Sequence, residues 1–210
     1  GWAALVLWPG VPLLVTEGSN LLQLVLPVPA SMERLMREVT NLSDHPVLAV
    51  LLLVVLAPVG EEFLFRGIML RGLLERMRPW RAVWLTTLFF AVMHLNPWQV
   101  PAAVGFGLLC GWVFLRTRSL ALCILLHSLN NTAALFASRL PWRVAGLNDE
   151  SGRVELLPWW LVVGGTGLLI LGGWLFARTT RDQLLPPELP GTGLSPELPV
   201  AQAADVLPVA

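Results

Sequence analysis

The eight residues GEEFLFRG, positions 60–67, decide how the chain reads. They set two carboxylates and a guanidinium into an otherwise apolar run. Upstream, residues 46–59 (PVLAVLLLVVLAPV) carry no charge, and the apolar pattern resumes at Ile68, Met69 and Leu70. A charge in hydrocarbon costs at least about 2.5–3.5 kcal/mol, so an ionisable side chain inside a membrane segment marks a functional site by default. On a helix, Glu62 and Arg66 are four apart, share a face and can pair. Glu61 is turned about 100° from Glu62. The spacing therefore reads as a supporting Glu62–Arg66 ion pair, with Glu61 left for chemistry. The bland alternative is an ion pair that only pins two helices together.

The rest of the composition agrees with a membrane setting. Of the 210 residues, 55% are hydrophobic and 13% charged, and the mean hydropathy is +0.68. That is a polytopic membrane protein rather than a soluble domain. The formal net charge is zero, which leaves no basic footprint for nucleic acid. Cys110 and Cys123 both lie in apolar segments, form no C-x-x-C pattern and imply no disulfide framework. Several tryptophans (Trp80, Trp98, Trp142, Trp159, Trp160) sit at segment ends, as interfacial anchors do. The first residue is Gly1 rather than Met, and the expectation is a fragment or processed form with membrane helices upstream.

Working outward, the pattern predicts an all-α membrane bundle with an interfacial amphipathic helix and a disordered C-terminal tail. Residues 2–16 are apolar but interrupted by Pro9, Gly10 and Pro12, and 19–29 form a second short apolar run. Residues 31–42 (SMERLMREVTNL) put Met32, Leu35, Met36 and Val39 on one stripe behind a Ser31 N-cap, and read as a helix lying on the membrane surface. Asp44, His45 and Pro46 end it and open the next span. Five core segments follow, near 46–74, 81–95, 101–115, 119–138 and 158–177. The second and third are short for about 30 Å of hydrocarbon. Gly105, Gly107 and Gly111 in the third allow close helix approach. The organisation is thus 1–45 (apolar segments and amphipathic helix), 46–138 (core), 139–178 (mixed-charge loop and last membrane helix) and 179–210 (Pro-rich tail). Arginines collect on one side (71, 76, 78, 81, 116, 118, 178 and 181), against 34, 37, 139, 143 and 153 on the other. This makes the first side, and the tail, cytoplasmic.

Two further motifs join the first. Phe90 and His94 are four apart in segment two, as are His127 and Asn131 in segment four. Measured from the arginine-rich side at about 1.5 Å per residue, Glu61, His94, His127 and Asn131 fall between about 12 and 20 Å deep. Each needs a polar partner in the bilayer, and one shared cavity supplies all of them. These groups suit attack by water on an amide. A glutamate serves as general base, a histidine shares the proton, and a second histidine with an asparagine donates to the developing oxyanion. The same set, with Glu61, His94 and His127 as ligands, could instead hold a divalent metal such as zinc with water in the open position. The spacing leaves this open, and H-E-x-x-H is absent. Ser128 adjoins His127 but points about 100° away, and no G-x-S-x-G elbow occurs.

The ordered set Glu61-Glu62-x-x-x-Arg66, Phe90-x-x-x-His94 and His127-x-x-x-Asn131 resembles the three signature motifs of the CPBP family. That family comprises type II CAAX prenyl endopeptidases and the bacteriocin-processing or immunity proteins also called Abi. The resemblance covers about Pro46 to Ser138. It implies an all-helical intramembrane protease in which Glu61 activates water with His94 assisting, and His127 and Asn131 bind the oxyanion. Glu62 and Arg66 would then be structural support. Its members carry the label metalloprotease, while a metal-free glutamate mechanism is also argued for them. Eukaryotic members cut prenylated C-terminal tripeptides; bacterial members act in peptide maturation or self-immunity. The implied partners are a peptide or protein substrate, prenylated in the eukaryotic case, and the lipid bilayer. The expected location is a bacterial cell membrane. Two other classes compete: a non-catalytic membrane protein that uses the cavity to bind a peptide, confer immunity or scaffold a partner, and a transporter with a relay carboxylate. Five core segments without an internal repeat argue against the transporter.

Overall fold

The computed structural model describes residues 2–40, 45–137, 140–148 and 154–181. Among them there are helices and loops but no strands. Helix α1 is Trp2–Leu7, α2 Gly10–Val25 and α3 Ala30–Thr40. Helix α4 runs unbroken over Pro46–Leu74, α5 is Pro79–Met93, α6 Val100–Thr117, α7 Leu120–Ala137 and α8 Trp159–Thr179. Among the described residues, five stretches are long and apolar enough to cross a membrane: Trp2–Val25, Pro46–Leu74, Pro97–Thr117, Leu120–Ala137 and Trp159–Thr179. The chain is an all-α polytopic bundle.

Three boundaries differ from the sequence expectation. The two short apolar runs near the start form one span, bent where Pro9 interrupts the ladder between α1 and α2. Helix α3 begins at Ala30, where the amides of Met32 and Glu33 both bond the Pro29 carbonyl, so Ser31 is inside the first turn rather than its cap. The third core segment is not short. Asn96 accepts from the Trp98 amide at 3.1 Å and caps a short 3₁₀ turn, Pro97–Gln99, that extends α6 to a full span. The expected break at Asp44, residues 139 and 149–153 of the loop, and the tail beyond residue 181 lie outside the described residues.

Helix α4 contains two π-helical stretches, Leu51–Leu56 and Phe63–Leu70. The first has a visible cause. Pro58 has no N–H for the Val54 carbonyl and its ring crowds that carbonyl, so the ladder shifts and the Ala57 amide bonds Leu52 instead, five residues back. Helix α5 is only 15 residues long. After His94 the chain turns through Leu95, held in the left-handed region at φ 49°, and returns through Asn96.

Glycines set the helix separations. In α6, a Cβ on Gly107 would sit 2.8 Å from the Thr87 methyl of α5, and one on Gly111 2.6 Å from Val83. On α8, a Cβ on Gly172 would overlap the backbone of Leu7 in α1, which cannot move aside as a side chain can. The loop after α7 is tied to α2. Asn20 Nδ2 donates to the Gly146 carbonyl and Glu17 accepts from the Leu157 amide, both at 2.8 Å.

Gly172→Ala is expected to separate α1 from α8 and destabilise the bundle by about 1–3 kcal/mol, the usual cost of overpacking. Gly164→Ala, on the same helix with open space around it, should leave the melting temperature in detergent unchanged. Equal melting of the two variants would refute the close α1–α8 contact.

Candidate active site

The site lies where α4, α5, α6 and α7 meet, and Glu62 is its hub. Its carboxylate is fully buried. Oε1 accepts from Arg66 Nη1 at 2.9 Å and from His127 Nδ1 at 2.8 Å. The predicted i,i+4 pair is therefore formed, and it holds a residue 65 positions away as well. Arg66 is itself buried. Its second nitrogen, Nη2, donates to the Gly107 carbonyl at 2.9 Å, and its guanidinium lies over the Phe90 ring at 5.1 Å. The missing Cβ of Gly107 lets α6 come close enough to α5 and α4 for that carbonyl to be reached.

With Nδ1 of His127 donating to the Glu62 carboxylate, Nε2 is the nitrogen left open. Nε2 faces Oε2 of Glu61 at 3.8 Å. That distance is too long for a direct hydrogen bond, and Oε2 of Glu61 is buried with no hydrogen-bond partner. The Glu61 side chain as a whole nonetheless keeps a quarter of its surface exposed.

The aromatic wall is Phe90 and Phe106. Phe106 packs on His127 at 4.8 Å, and Phe90 touches His94 at 4.8 Å, Phe65 at 5.2 Å and His127 at 5.9 Å. His94 stands just past the last turn of α5. Its Nδ1 donates to the Phe90 carbonyl at 2.8 Å, which satisfies an otherwise open helix-end acceptor and leaves Nε2 as the free nitrogen. Asn131 lies one turn beyond His127 on α7. Its Nδ2 donates to the Leu53 carbonyl at 2.9 Å, in the first π-helical stretch of α4. One of the two amide N–H groups remains for another acceptor. Contacts thus join Glu61, Glu62, Arg66, Phe90, His94 and His127 in one cluster, while Asn131 bonds two turns upstream of Glu61 on α4.

Among the described residues, one set of three possible metal ligands has all its donor atoms within 4.8 Å of one another: Glu62, Cys110 and Cys123. Sequence spacing gave no sign of it, because the two cysteines meet only across α6 and α7. The set does not suit a resident metal. Cys123 Sγ donates to the Cys110 carbonyl at 3.5 Å and Cys110 Sγ to the Cys123 carbonyl at 4.0 Å, so both act as thiols, whereas a metal takes thiolates. Glu62 is already neutralised by Arg66, and a metal would add a second positive charge beside it. Of the three candidates Glu61, His94 and His127, Glu61 and His127 face each other, and Glu62 behind His127 is the usual outer-shell carboxylate of a metal-bound histidine. Two ligands fall short of the three that catalytic zinc takes from protein.

Fold and site together define an integral membrane protein with an acid–base cluster inside the bilayer. Residues 43–133 match the family model described as type II CAAX prenyl endopeptidase Rce1-like, and this segment is a Rce1-like domain. This match, over less than half of the chain, supports a CAAX-type intramembrane protease at family level. The matched segment holds Glu61, Glu62, Arg66, Phe90, His94, His127 and Asn131. No curated protein and no solved structure matches the chain significantly.

Glu62→Gln is expected to lower folded yield and stability by about 3–5 kcal/mol, since it strips a buried guanidinium of its counter-charge. Adding Arg66→Met should recover much of the melting temperature, because removing both charges of a buried pair is far milder than removing one. A normal melt for Glu62→Gln alone would refute the hub.

Proposed function

We propose that the chain is a glutamate-dependent endopeptidase that hydrolyses a peptide bond within the bilayer, with prenylated C-terminal peptides as its substrate class. The observation that carries this reading is the unpartnered Oε2 of Glu61 facing Nε2 of a histidine whose other nitrogen is pinned by Glu62. The cluster is neutral when one proton is shared between Glu61 and His127, since Arg66 already balances Glu62. Low-dielectric surroundings favour that count.

The reaction follows with His127 as the imidazolium and Glu61 as the carboxylate. Glu61 takes a proton from water as the oxygen attacks the scissile carbonyl carbon. The carbonyl oxygen becomes an oxyanion and accepts from Nε2–H of His127, with the second amide N–H of Asn131 as a further donor. Glu61 then passes its proton to the leaving nitrogen as the C–N bond breaks. His94, with Nε2 free, orients the attacking water. Phe90 and Phe106 hold the rings of His94 and His127 in place. The arginine-rich side, and with it the end of α8, faces the cytoplasm.

The test is tripeptide release from a prenylated peptide by detergent-purified protein. Glu61→Gln is expected to lose about 10²–10⁴-fold in rate, the usual contribution of a general base, with its melting temperature unchanged. Turnover at the wild-type rate would end the role of Glu61 as base.

The same preparation decides the metal question. The expected outcome is zinc well below one per chain by mass spectrometry, and cleavage that survives a chelator. One zinc per chain, lost in His94→Ala/His127→Ala together with activity, would make these histidines ligands and overturn the metal-free scheme.

A further inference from the structure

On the opposite side of α6 from the Glu62–His127 cluster is a cleft of about 450 Å³. Phe106, Gly107 and Cys110 turn toward the cluster, whereas Gly105, Leu108, Leu109 and Trp112 turn toward the cleft. The other walls are Leu7 of α1, Val11 of α2, Trp80 and Trp84 of α5, and Leu169 of α8. The lining is apolar and the size is that of a small-molecule site. No step of the hydrolysis uses it.

The lining itself is uncharged, but one end of the cleft faces the arginine-rich side. Helices α5 and α6 run antiparallel, as Thr87 opposite Gly107 and Val83 opposite Gly111 require. The start of α5 and the end of α6 are therefore on the same side. Arg116 is four residues after Trp112 and continues the cleft-facing stripe of α6 beyond the lining, while Arg81, between the lining residues Trp80 and Trp84, flanks the same end. Helix α8 runs parallel to α6, because both run antiparallel to α2: Val15 meets Gly105 and Gly18 meets Pro101, while Gly10 meets Leu169 and Leu13 meets Gly165. Arg178 thus emerges on this side too, with its guanidinium stacked 3.9 Å over Trp174. Among the described residues, Arg81 and Arg116 have no carboxylate partner. A hydrocarbon slot beneath two unbalanced cations is the complement of an amphiphile with an anionic head. Basic pockets between membrane helices on the cytoplasmic side bind such headgroups.

We propose that this cleft is a lipid site separate from the proteolytic one: it seats an acyl chain of an anionic glycerophospholipid whose phosphate is held by Arg81 and Arg116. Native mass spectrometry of the full chain in micelles, titrated with phosphatidylglycerol and with phosphatidylcholine, tests it. Wild type should retain phosphatidylglycerol preferentially. Arg81→Gln/Arg116→Gln should bind it about 30-fold more weakly, at about fivefold per arginine near an anionic head. Gly173→Leu tests the chain-binding half. The Cβ there meets only the edge of Trp112 at 4.0 Å, so the helix keeps its place while the side chain fills the cleft. It should weaken binding about tenfold, as for displacing roughly two methylenes. Circular dichroism confirms that both variants fold. Equal retention of the two lipids by wild type, or unchanged binding in both variants, overturns the proposal. So does displacement by inorganic phosphate alone, which would mark an anion site without a chain. A dimer that phosphatidylglycerol does not dissociate would put a second copy on this face and also overturn it.

Discussion

The ion pair and the histidine at the centre of the bundle meet on one carboxylate oxygen. Oε1 of Glu62 takes a proton donor from its own helix, Arg66, and another from α7, His127, inside a medium that offers neither water nor counter-ions. Arg66 in turn reaches the backbone of α6 through Gly107. Helices α6 and α7 are thereby tied to α4 by groups that would be prohibitive if left alone and are tolerable only as a closed set. The glycines of α6 belong to the same constraint, because a wider helix spacing would take the Gly107 carbonyl out of reach of the guanidinium. The positions of His127 and Glu61 relative to one another follow from this tie and need no further device.

How much of this was readable before the structure depends on the range of each interaction. Glu62 with Arg66, and Phe90 with His94, are one-turn relationships, and the helical period alone exposes them. The choice of Glu61 as the group outside the ion pair followed from the same period, and its unpartnered oxygen agrees with it. The contact of Glu62 with His127 spans 65 residues, and only the three-dimensional meeting of α4 and α7 reveals it. The thiols of Cys110 and Cys123 are likewise invisible to spacing, since each answers to the other's backbone carbonyl. Asn131 illustrates a different failure. An ideal helix offers no free carbonyl to an outside amide. The shift in the ladder that Pro58 imposes was not anticipated, although the proline itself is plain in the sequence. The N-terminal span was misread for a related reason: Pro9 bends a membrane helix without ending it.

Helix α6 works as a partition. One flank carries the ring and carbonyl that complete the polar cluster, and the other presents an apolar surface with a tryptophan near its arginine-rich end. The two flanks are insulated by the helix itself, so groups with opposite solvent requirements sit on either side of a single 18-residue element. Small residues on the tight flank and large ones on the open flank are what the two environments demand.

The brevity of α5 has a bearing on the surrounding lipid. Fifteen residues cover about 22 Å, against about 30 Å for the hydrocarbon of an ordinary bilayer. The shortfall falls at the end where the chain reverses through Leu95 and Asn96, next to His94. There the membrane has to meet a protein edge that is several ångström too low, and acyl chains relieve such a mismatch by thinning. The imidazole at the tip of this truncated helix therefore lies under a shallower layer of hydrocarbon than its distance from the opposite face suggests. The same local deficit of oil shortens the path from bulk water to that imidazole.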